Sequence, residues 1–584
     1  MGSTTEPQKG SEKPDMLISV DFGMTFYPEG SNILSSWGFK SEEKSEQRAE
    51  GRDYKEWFKT CLDAERLEKE KSKGPNALFT SMEEVEKLYR DYLRELYQHI
   101  ERQLGRSIAE KGWADASVEF LFSVPTTWDH RTCKRFEAIT RAAGFGKHAN
   151  HRVVTSLTEA EAAAVFTSTE EPGLFNTHDI LLVCDAGGGT TSKTYRNQDL
   201  SVLRVINVKD ETINLEEIDV VFGDTIGSAA IDQDFESLAF ERLSALPHST
   251  LRSSVAAWEM MKSKEFQNVK CEFGAPTDTP LFSVPVPTHD KAYTNEDARV
   301  FNGEMQFAQG DLQYMFDKQI RKMDKLIEKQ LKNLEQKFPN DQVSELERKY
   351  SSSNRSFSNT RNLRFRIAPD PQLAVCKGLV IDRLRRLQSG QGVLNMLCCR
   401  ASYGTMCRIE YDKKNEEHFN KATFKDERDG KAYLSDAIAW FIKKGEPINI
   451  DRPIKHSFSR KVDPANPYRP FLTSIVKSDL DRQDLPIQMG QGTADILCSL
   501  EANLTGVDQS QFKEKNKTVW STRKPYLRVD YEIQVIIEAS DIRFELKEDK
   551  ERTILAQQAV FRKKFLEAIQ WMVSQHAHRG LPHH

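Results

Sequence analysis

The sequence lacks any apolar run that reaches the roughly 18 consecutive residues of a membrane-spanning helix. Its first residues, MGSTTEPQKGSEKPD, also lack the apolar core of a signal peptide. Basic and acidic residues are nearly balanced, 83 against 88, so no overall field favours nucleic acid or an anionic membrane. We therefore expect a cytoplasmic protein without nucleic-acid or membrane partners.

Several motifs are also missing. There is no GxxxxGK[ST] loop, which excludes a P-loop NTPase, and no CxxC pair or His/Cys cluster at zinc spacing. The nine cysteines are therefore expected to be reduced thiols in apolar cores. No repeat of 20 to 50 residues is visible, which argues against solenoids and propellers.

Hydrophobic periodicity predicts an α/β fold with a β-rich C-terminal region. Apolar residues at helical spacing predict helices from Ser81 to Gly105 and from Leu312 to Leu334, and further helices over 129–143, 229–243 and 254–267. Strands are predicted at 118–124, 153–157, 180–184 and 202–208. Short strands follow from about Tyr403, with clear alternation over 527–535. A basic amphipathic helix is predicted at 551–574, which either docks on the chain or binds a partner.

Two turns combine an aspartate with glycines, and each follows an apolar strand. Asp21, Gly23 and Thr25 follow the run LISV, and Asp185 with GGGTT follows ILLVC. Glycine lets backbone N–H groups approach a phosphate closely, and a carboxylate nearby can hold Mg²⁺ or its waters. A single DxGGGT is also consistent with an ordinary tight turn. The pair predicts a site for a phosphate chain.

These residues resemble those of a known superfamily. DFGMT and DAGGGTT, with LTEAEAAAV between them, resemble the two phosphate loops and connecting segment of actin, sugar kinases and DnaK-type heat-shock chaperones. FSVPTTWD, GDTIGSAAIDQDFESL and PDPQLAVCKGLV extend the resemblance in order over about residues 16 to 400. The WFK segment near Trp57 and the β-rich end resemble those of divergent heat-shock-chaperone-like proteins of filamentous fungi, related to the animal twelve-type subfamily.

The resemblance implies a two-lobed actin-like ATPase (ribonuclease-H-like) fold and an ATP or ADP site with Mg²⁺. Asp21 and Asp185 would order water around the metal, and Glu159 would be an acid/base or metal-water residue. The β- and γ-phosphates would be wrapped by backbone and hydroxyl groups of the two loops, namely Gly23, Thr25, Gly187, Gly188, Gly189, Thr190 and Thr191.

It also implies an adenosine site. Gly227 lies in the glycine-containing turn GDTIGS, and Glu259 and Lys262 match positions at which these chaperones hold the adenosine. An exposed ion pair between Glu259 and Lys262, one helical turn apart, explains the spacing equally well.

Departures from the family pattern weaken the site. Met24 stands where the first loop expects a threonine, and Ser192 where the second loop expects an aspartate. The chain between Thr25 and Trp37 is too short for the expected hairpin, so the first loop should lack its return strand. The adenine-stacking turn expected between Phe338 and Ile367 is missing. Divergence toward a pseudo-enzyme and coding segments missing at introns explain these gaps equally well.

These observations predict an ATP/ADP-binding, heat-shock-chaperone-like protein with weak or absent hydrolysis, whose partners are unfolded or client proteins. The alternative is a non-catalytic pseudo-ATPase scaffold that binds protein partners; a small-molecule kinase is remote, since no base in a sugar-binding context is visible. The expected organisation is a tail (1–15), lobe I (16–175), lobe II (176–400), a β-rich region (401–548) and a C-terminal helix with a tail (549–584).

Overall fold

A computed structural model describes most of the chain, and its fold is mixed α/β. The described residues are 13–20, 25–26, 36–37, 54–55, 58–72, 74, 77–108, 111–126, 128–185, 199–209, 212–219, 227–244, 253–274, 279–287, 292–338, 368–450, 452–490, 493–502, 504, 512–517, 522–537, 542–548 and 554–557. Within these ranges, no helix combines the length and the apolar character needed to cross a membrane.

The chain divides into two compact units, Met1–Ile213 with Val221–Val393, and Asn214–Val220 with Leu394–His584. The strands of the first unit are β1 (Met16–Val20), β2 (Thr25–Phe26), β3 (Ser36–Trp37), β4 (Tyr54–Lys55), β5 (Val118–Val124), β6 (His151–Thr158), β7 (Ile180–Asp185), β8 (Asp199–Lys209), β10 (Leu281–Pro285), β11 (Val300–Phe301) and β12 (Glu304–Ala308). Residues of β9 (Thr212–Asp219) belong to both units.

The described α-helices all lie in the first unit. They are α1 (Ala64–Lys71), α2 (Met82–Leu104), α3 (His130–Ala142), α4 (Glu159–Glu170), α5 (Ser228–Ser244), α6 (Ser253–Lys262), α7 (Lys264–Cys271), α8 (Gln309–Lys337) and α9 (Ala374–Ser389). The division of this unit into two actin-like lobes stays a prediction.

A parallel sheet in the order β1-β5-β6 organises the first part of this unit. β5 is buried along nearly its whole length, as expected for a central parallel strand covered on both faces. The predicted α2 and α3 are confirmed, with Ser81 and Asp129 accepting the N-cap hydrogen bonds. Gly144 follows α3 at φ 114°, a conformation that glycine adopts without strain. Aromatic side chains fill the core between sheet and helices.

A short antiparallel sheet contradicts one prediction. β2 pairs with β3, with Thr25 opposite Trp37, and also with β4, with Thr25 opposite Lys55. The first loop was expected to lack a return strand because the FYPEGSNILSS segment is short. That prediction was wrong, because a two-residue pairing needs little chain and β4 supplies a second partner.

Helices α4 and α9 cross at very close range. A Cβ added to Gly378 would lie 1.8 Å from the carbonyl oxygen of Ala162, so only glycine allows this approach. α9 also packs on β1 and β5, and α4 on β7 and β8. Arg383 of α9 forms a two-point ion pair with buried Glu119 of β5, at 2.6 and 2.8 Å. The crossing therefore connects the parallel sheet with the antiparallel β7–β8 pair.

The rest of the first unit is a second core of helices against a three-stranded sheet, β10-β12-β11. The predicted helix over 254–267 is two helices, α6 and α7, which meet at Ser263. The Ser263 backbone is extended, and its hydroxyl accepts from the Phe266 N–H at 3.2 Å to begin α7. Local capping, which hydrophobic spacing does not reveal, caused this error.

The second unit is rich in short antiparallel strands, as predicted. They are β13 (Leu394–Cys398), β14 (Ser402–Cys407), β15 (Thr423–Lys425), β16 (Ala432–Leu434), β17 (Ala437–Ile442), β18 (Pro447–Asn449), β19 (Ile454–Val462), β20 (Phe471–Ser478), β21 (Asp495–Ala502), β22 (Lys513–Lys515), β23 (Tyr526–Ile537), β24 (Ile542–Glu548) and β25 (Ile554–Gln557). Sheets β17-β14-β20-β21 and β19-β23-β24-β25 share one apolar core. The alternation predicted over 527–535 is confirmed, with Val529, Tyr531, Ile533 and Val535 buried.

The predicted C-terminal helix over 551–574 is wrong at its beginning. Residues 554–557 form β25, which pairs antiparallel with β24 and brings Gln557 opposite Glu545. Pairing with an available sheet edge outweighed the helical spacing of the apolar residues. The remainder of the predicted helix lies outside the described residues.

The α4–α9 crossing generates a stability prediction. Gly378→Ala should lower the free energy of unfolding by about 3 kcal/mol or more, because the methyl group meets a backbone carbonyl that cannot move aside. Gly310→Ala, in the first turn of α8 with no atom near its added Cβ, should be neutral or stabilise by up to about 1 kcal/mol. Urea unfolding of both variants measures this, and equal stabilities would contradict the crossing.

Candidate functional site

The carboxyl edge of the parallel sheet gathers three strand ends. In register, Val20 of β1 lies opposite Phe122 of β5, and Val124 of β5 lies opposite Thr158 of β6. The three strands are parallel, so the residues that follow them leave from the same edge. In open parallel sheets, ligands bind outside the carboxyl ends of the strands. Asp21 follows β1 in the sequence, and Glu159 follows β6.

Glu159 is the first residue of α4, and Lys59 lies against it. The Lys59 Nζ donates to Glu159 Oε1 at 2.6 Å, and both side chains are largely buried. The Tyr89 hydroxyl donates to the Lys59 backbone carbonyl at 2.8 Å, and its ring meets Phe58 edge-on at 5.0 Å. Burial, and secondarily the charge of Glu159, raise the pKa of Tyr89 well above its usual value. The phenol therefore stays a neutral donor that fixes Lys59.

Lys59, which the sequence did not single out, lies beside the predicted site residue Glu159. It stands in the WFK segment, 100 residues from Glu159 along the chain, so no local spacing links the two. Only the sheet edge brings them together. Its ammonium group places positive charge beside Glu159 at the start of α4.

Glu161, the other acid at the start of α4, is a capping residue. Its Oε2 accepts from the Thr158 backbone N–H at 2.7 Å, and the Thr158 hydroxyl accepts from the Glu161 N–H at 3.3 Å. This capping box fixes the first turn of α4. Of the two acids at the start of α4, Glu161 thus accepts from the backbone, whereas the described partner of Glu159 is the Lys59 cation.

The second strand end carries two aspartates. Asp185, the last residue of β7, is the register partner of Asp199, the first residue of β8. Because Ser192 stands where the second loop expects an aspartate, the sequence indicated that one carboxylate of the site was lost. That interpretation stays a prediction, and the register places Asp199 at the same strand end.

The residues predicted to hold adenosine lie in the helical part of the first unit. Gly227 is buried immediately before α5, and its carbonyl accepts from the Ala230 N–H at 3.1 Å. Glu259 and Lys262 are half-buried on α6. The Glu259 Oε1 is buried and makes no hydrogen bond, and burial raises the pKa of this carboxyl group. The alternative reading, an exposed ion pair, does not fit these surroundings.

The remaining predicted site residues lie outside the described ranges. They are Asp21, Gly23, Gly187, Gly188, Gly189, Thr190 and Thr191, while Thr25 and Asp185 are described as strand residues only. In the described part of the chain, no three His, Cys, Asp or Glu side chains lie together as metal ligands. Whether the two loops meet stays a prediction.

Comparison with known proteins bears on the second unit. Residues 397–559 match a family model described as a domain of unknown function (DUF8568). No curated protein matches the chain. The DUF8568 region covers the described strands β14 to β25, and so includes the two antiparallel sheets with their common core.

The DUF8568 region contains a partly buried ionic cluster around its β15–β16 hairpin. Lys461 of β19 donates to Asp426 at 3.0 Å and also to Asp429. Asp429 accepts a further hydrogen bond from the Tyr433 hydroxyl at 2.5 Å, and Arg408 donates to Asp426 at 2.6 Å. Because both carboxylates have cationic partners within the protein, we interpret this cluster as a clamp on the hairpin turn rather than a catalytic site.

The pKa of Asp429 shows that its hydrogen bonds outweigh the effect of burial. Burial alone would raise this pKa, but hydrogen bonds from Lys461 and Tyr433 outweigh burial and lower it from 3.8 to about 2. The carboxylate therefore stabilises the folded state at every pH above about 4. This stabilisation is lost as the pH falls from 4 towards 2.

The ionic clamp can be tested by one substitution at two pH values. Asp429→Asn should lower the free energy of unfolding at pH 7 by about 1–3 kcal/mol, because Lys461 loses one of its two carboxylate partners. At pH 2.5 the free energies of unfolding of the variant and the unmodified protein should differ by less than at pH 7. Asp479→Asn, which removes an exposed partner of Lys477, should change stability by less than about 0.5 kcal/mol. A pH-independent loss measured by urea unfolding would count against the clamp.

Proposed function

We propose that this protein binds ATP or ADP with Mg²⁺ in its first unit, as a heat-shock-chaperone-like protein of the actin-like ATPase superfamily with weak or absent hydrolysis. The observation that carries the proposal is the Asp185–Asp199 register pair at one strand end. It is supported by the Lys59–Glu159 pair at the carboxyl edge of the parallel sheet. Helix α4, which begins at Glu159, packs against β7 and β8.

The donor set fits a magnesium nucleotide. Carboxylate oxygens are preferred ligands of Mg²⁺, which suits Asp185, Asp199 and Asp21. The Lys59 cation suits the negative charge of the β- and γ-phosphates, which backbone N–H groups of the two glycine-containing loops would also bind. Magnesium would neutralise phosphate charge, and Glu159 would orient or deprotonate a water.

The adenosine side of the proposal rests on Glu259. Its Oε1 is a buried acceptor without a hydrogen-bond partner, and such atoms are costly to leave unsatisfied. A ribose hydroxyl is a donor of the required kind. Gly227 and Lys262 complete the set that the resemblance implies. The β-rich second unit would bind unfolded or client proteins, as in the chaperones that the sequence resembles.

A non-catalytic scaffold is the second candidate. In addition to Met24 and Ser192, the short Lys59–Glu159 ion pair favours it, because the Lys59 ammonium group already occupies the Glu159 Oε1 atom that a catalytic water would approach. A scaffold would keep the fold and bind protein partners without turnover.

Nucleotide binding is measured by a thermal-shift titration with Mg-ATP and Mg-ADP. At a nucleotide concentration 100 times the dissociation constant, the stability gain should be about 2.7 kcal/mol. Asp199→Asn should remove the part of this gain that depends on Mg²⁺. Asp234→Asn, which removes a surface partner of Lys318, should leave it unchanged. No stabilisation of the unmodified protein at millimolar nucleotide would refute the proposal.

Steady-state phosphate release separates the two candidates. If the protein hydrolyses ATP, release should be slow and should fall at least tenfold in Asp185→Asn, because the metal loses a ligand. The scaffold candidate requires no release above that of the Asp185→Asn variant. Turnover abolished by this substitution would exclude the scaffold.

A further inference from the structure

Two histidines meet at the start of β6, at the edge of the parallel sheet opposite to the candidate site. The rings of His148 and His151 contact each other edge-to-face, with centroids 4.7 Å apart. His151 is buried, and its ring also lies edge-on against Trp113 at 5.1 Å and Phe120 at 5.6 Å. Its backbone N–H donates to the His148 carbonyl at 3.0 Å, which closes the turn that leads into β6.

The hydrogen bonds fix the protonation state of His151. Its Nε2 lies 2.8 Å from the Trp113 carbonyl oxygen, which can only accept, so Nε2 carries the proton. In the neutral ring, Nδ1 is therefore an unprotonated acceptor. Both this Nδ1 and the His148 Nε2 are buried and make no hydrogen bond to any protein group. A second proton on His151 would have to enter this closed space at Nδ1.

The charges around the pair oppose that proton. Burial is the main cause that lowers the pKa of His151, and the neighbouring His148 and Lys147 lower it further. The Trp113 carbonyl and Glu101 of α2 act in the opposite direction. Lys147 lies 3.5 Å from Glu101 and over the ring of Tyr97, while β5 contributes the apolar Phe120. Glu101 thus has a cationic partner of its own, Lys147.

We propose that His151, packed against the ring of His148, is a proton-sensitive group whose neutral form is needed for the start of β6 to stay packed against Trp113 and Phe120. An unfolded histidine takes up a proton near pH 6.5, whereas this buried ring does so only at lower pH. The unfolded or locally opened state therefore binds more protons below pH 6.5. Stability is fully present above that pH and is lost as the pH falls below it.

The position of the two histidines determines which part of the structure opens when stability is lost at low pH. β6 begins at His151, opposite Val118 of β5, and runs to Thr158, the N-cap of α4. Opening at His151 exposes the aromatic cluster beneath the sheet. Acidification to pH 5–6 should thus loosen the sheet edge from its amino end while the carboxyl end still holds the α4 capping box.

The test is the pH dependence of unfolding of the full-length protein. For the unmodified chain, the ratio of folded to unfolded molecules should fall by up to tenfold per pH unit between pH 6.5 and 5. His151→Gln keeps an amide donor for the Trp113 carbonyl and cannot titrate, so its stability should vary less over this range. His148→Gln removes the neighbouring imidazole and should reduce the pH dependence in part.

His178→Asn is the matched control. His178 is exposed and has φ 77°, a conformation that asparagine tolerates, so the variant should keep the pH dependence of the unmodified protein. If His151→Gln does not fold, an NMR titration of the His151 ring in the unmodified protein replaces it. The proposal is overturned if His151 titrates at or above pH 6.5, or if both glutamine variants keep the full pH dependence.

Discussion

The close approach of α4 to α9 at Ala162 and Gly378 is the contact on which the first unit depends. Helices normally pack with their axes 8–10 Å apart, and a backbone-to-backbone contact is reached only where a side chain is absent. Arg383 and Glu119 fasten α9 to β5, and buried Asp382 accepts from the Val393 N–H and from Arg386 at 2.8 Å each. These bonds link the C-terminal half of α9 to β5 and to the segment that follows the helix.

The crossing of α4 and α9 also positions the residues of the candidate site. α4 begins at the carboxyl edge of the parallel sheet, where Glu159 meets Lys59, and its body packs on the β7–β8 pair that ends in Asp185 and Asp199. Under the proposed function, the Lys59 cation at one strand end and the two aspartates at the other would be complementary halves of a site for a metal-bound anion. Magnesium nucleotides carry both charges.

The second unit uses charge for a different purpose. In the DUF8568 region, Asp426 and Asp429 share Lys461, and this clamp holds the hairpin turn beside two sheets with a common apolar core. The β15–β16 hairpin is only three residues long on each side, too short to be stable alone. Partly buried ion pairs around its turn supply the missing constraint, and no phosphate or metal chemistry is needed to explain them.

The sequence by itself determined the elements that have strong periodicity or a local signal. The helices α2, α3, α5 and α8, the strands β5 to β8, and the alternation of β23 all follow from apolar spacing and caps read within one segment. Glu159 was singled out because LTEAEAAAV resembles the connecting segment of the actin-like superfamily. Tertiary structure decided what depends on distant segments: Lys59 beside Glu159, Asp199 opposite Asp185, β2 between β3 and β4, and β25 as a strand. Sheet register and helix crossing bring together residues that lie far apart in sequence, and a pattern of nearest neighbours carries no information about either.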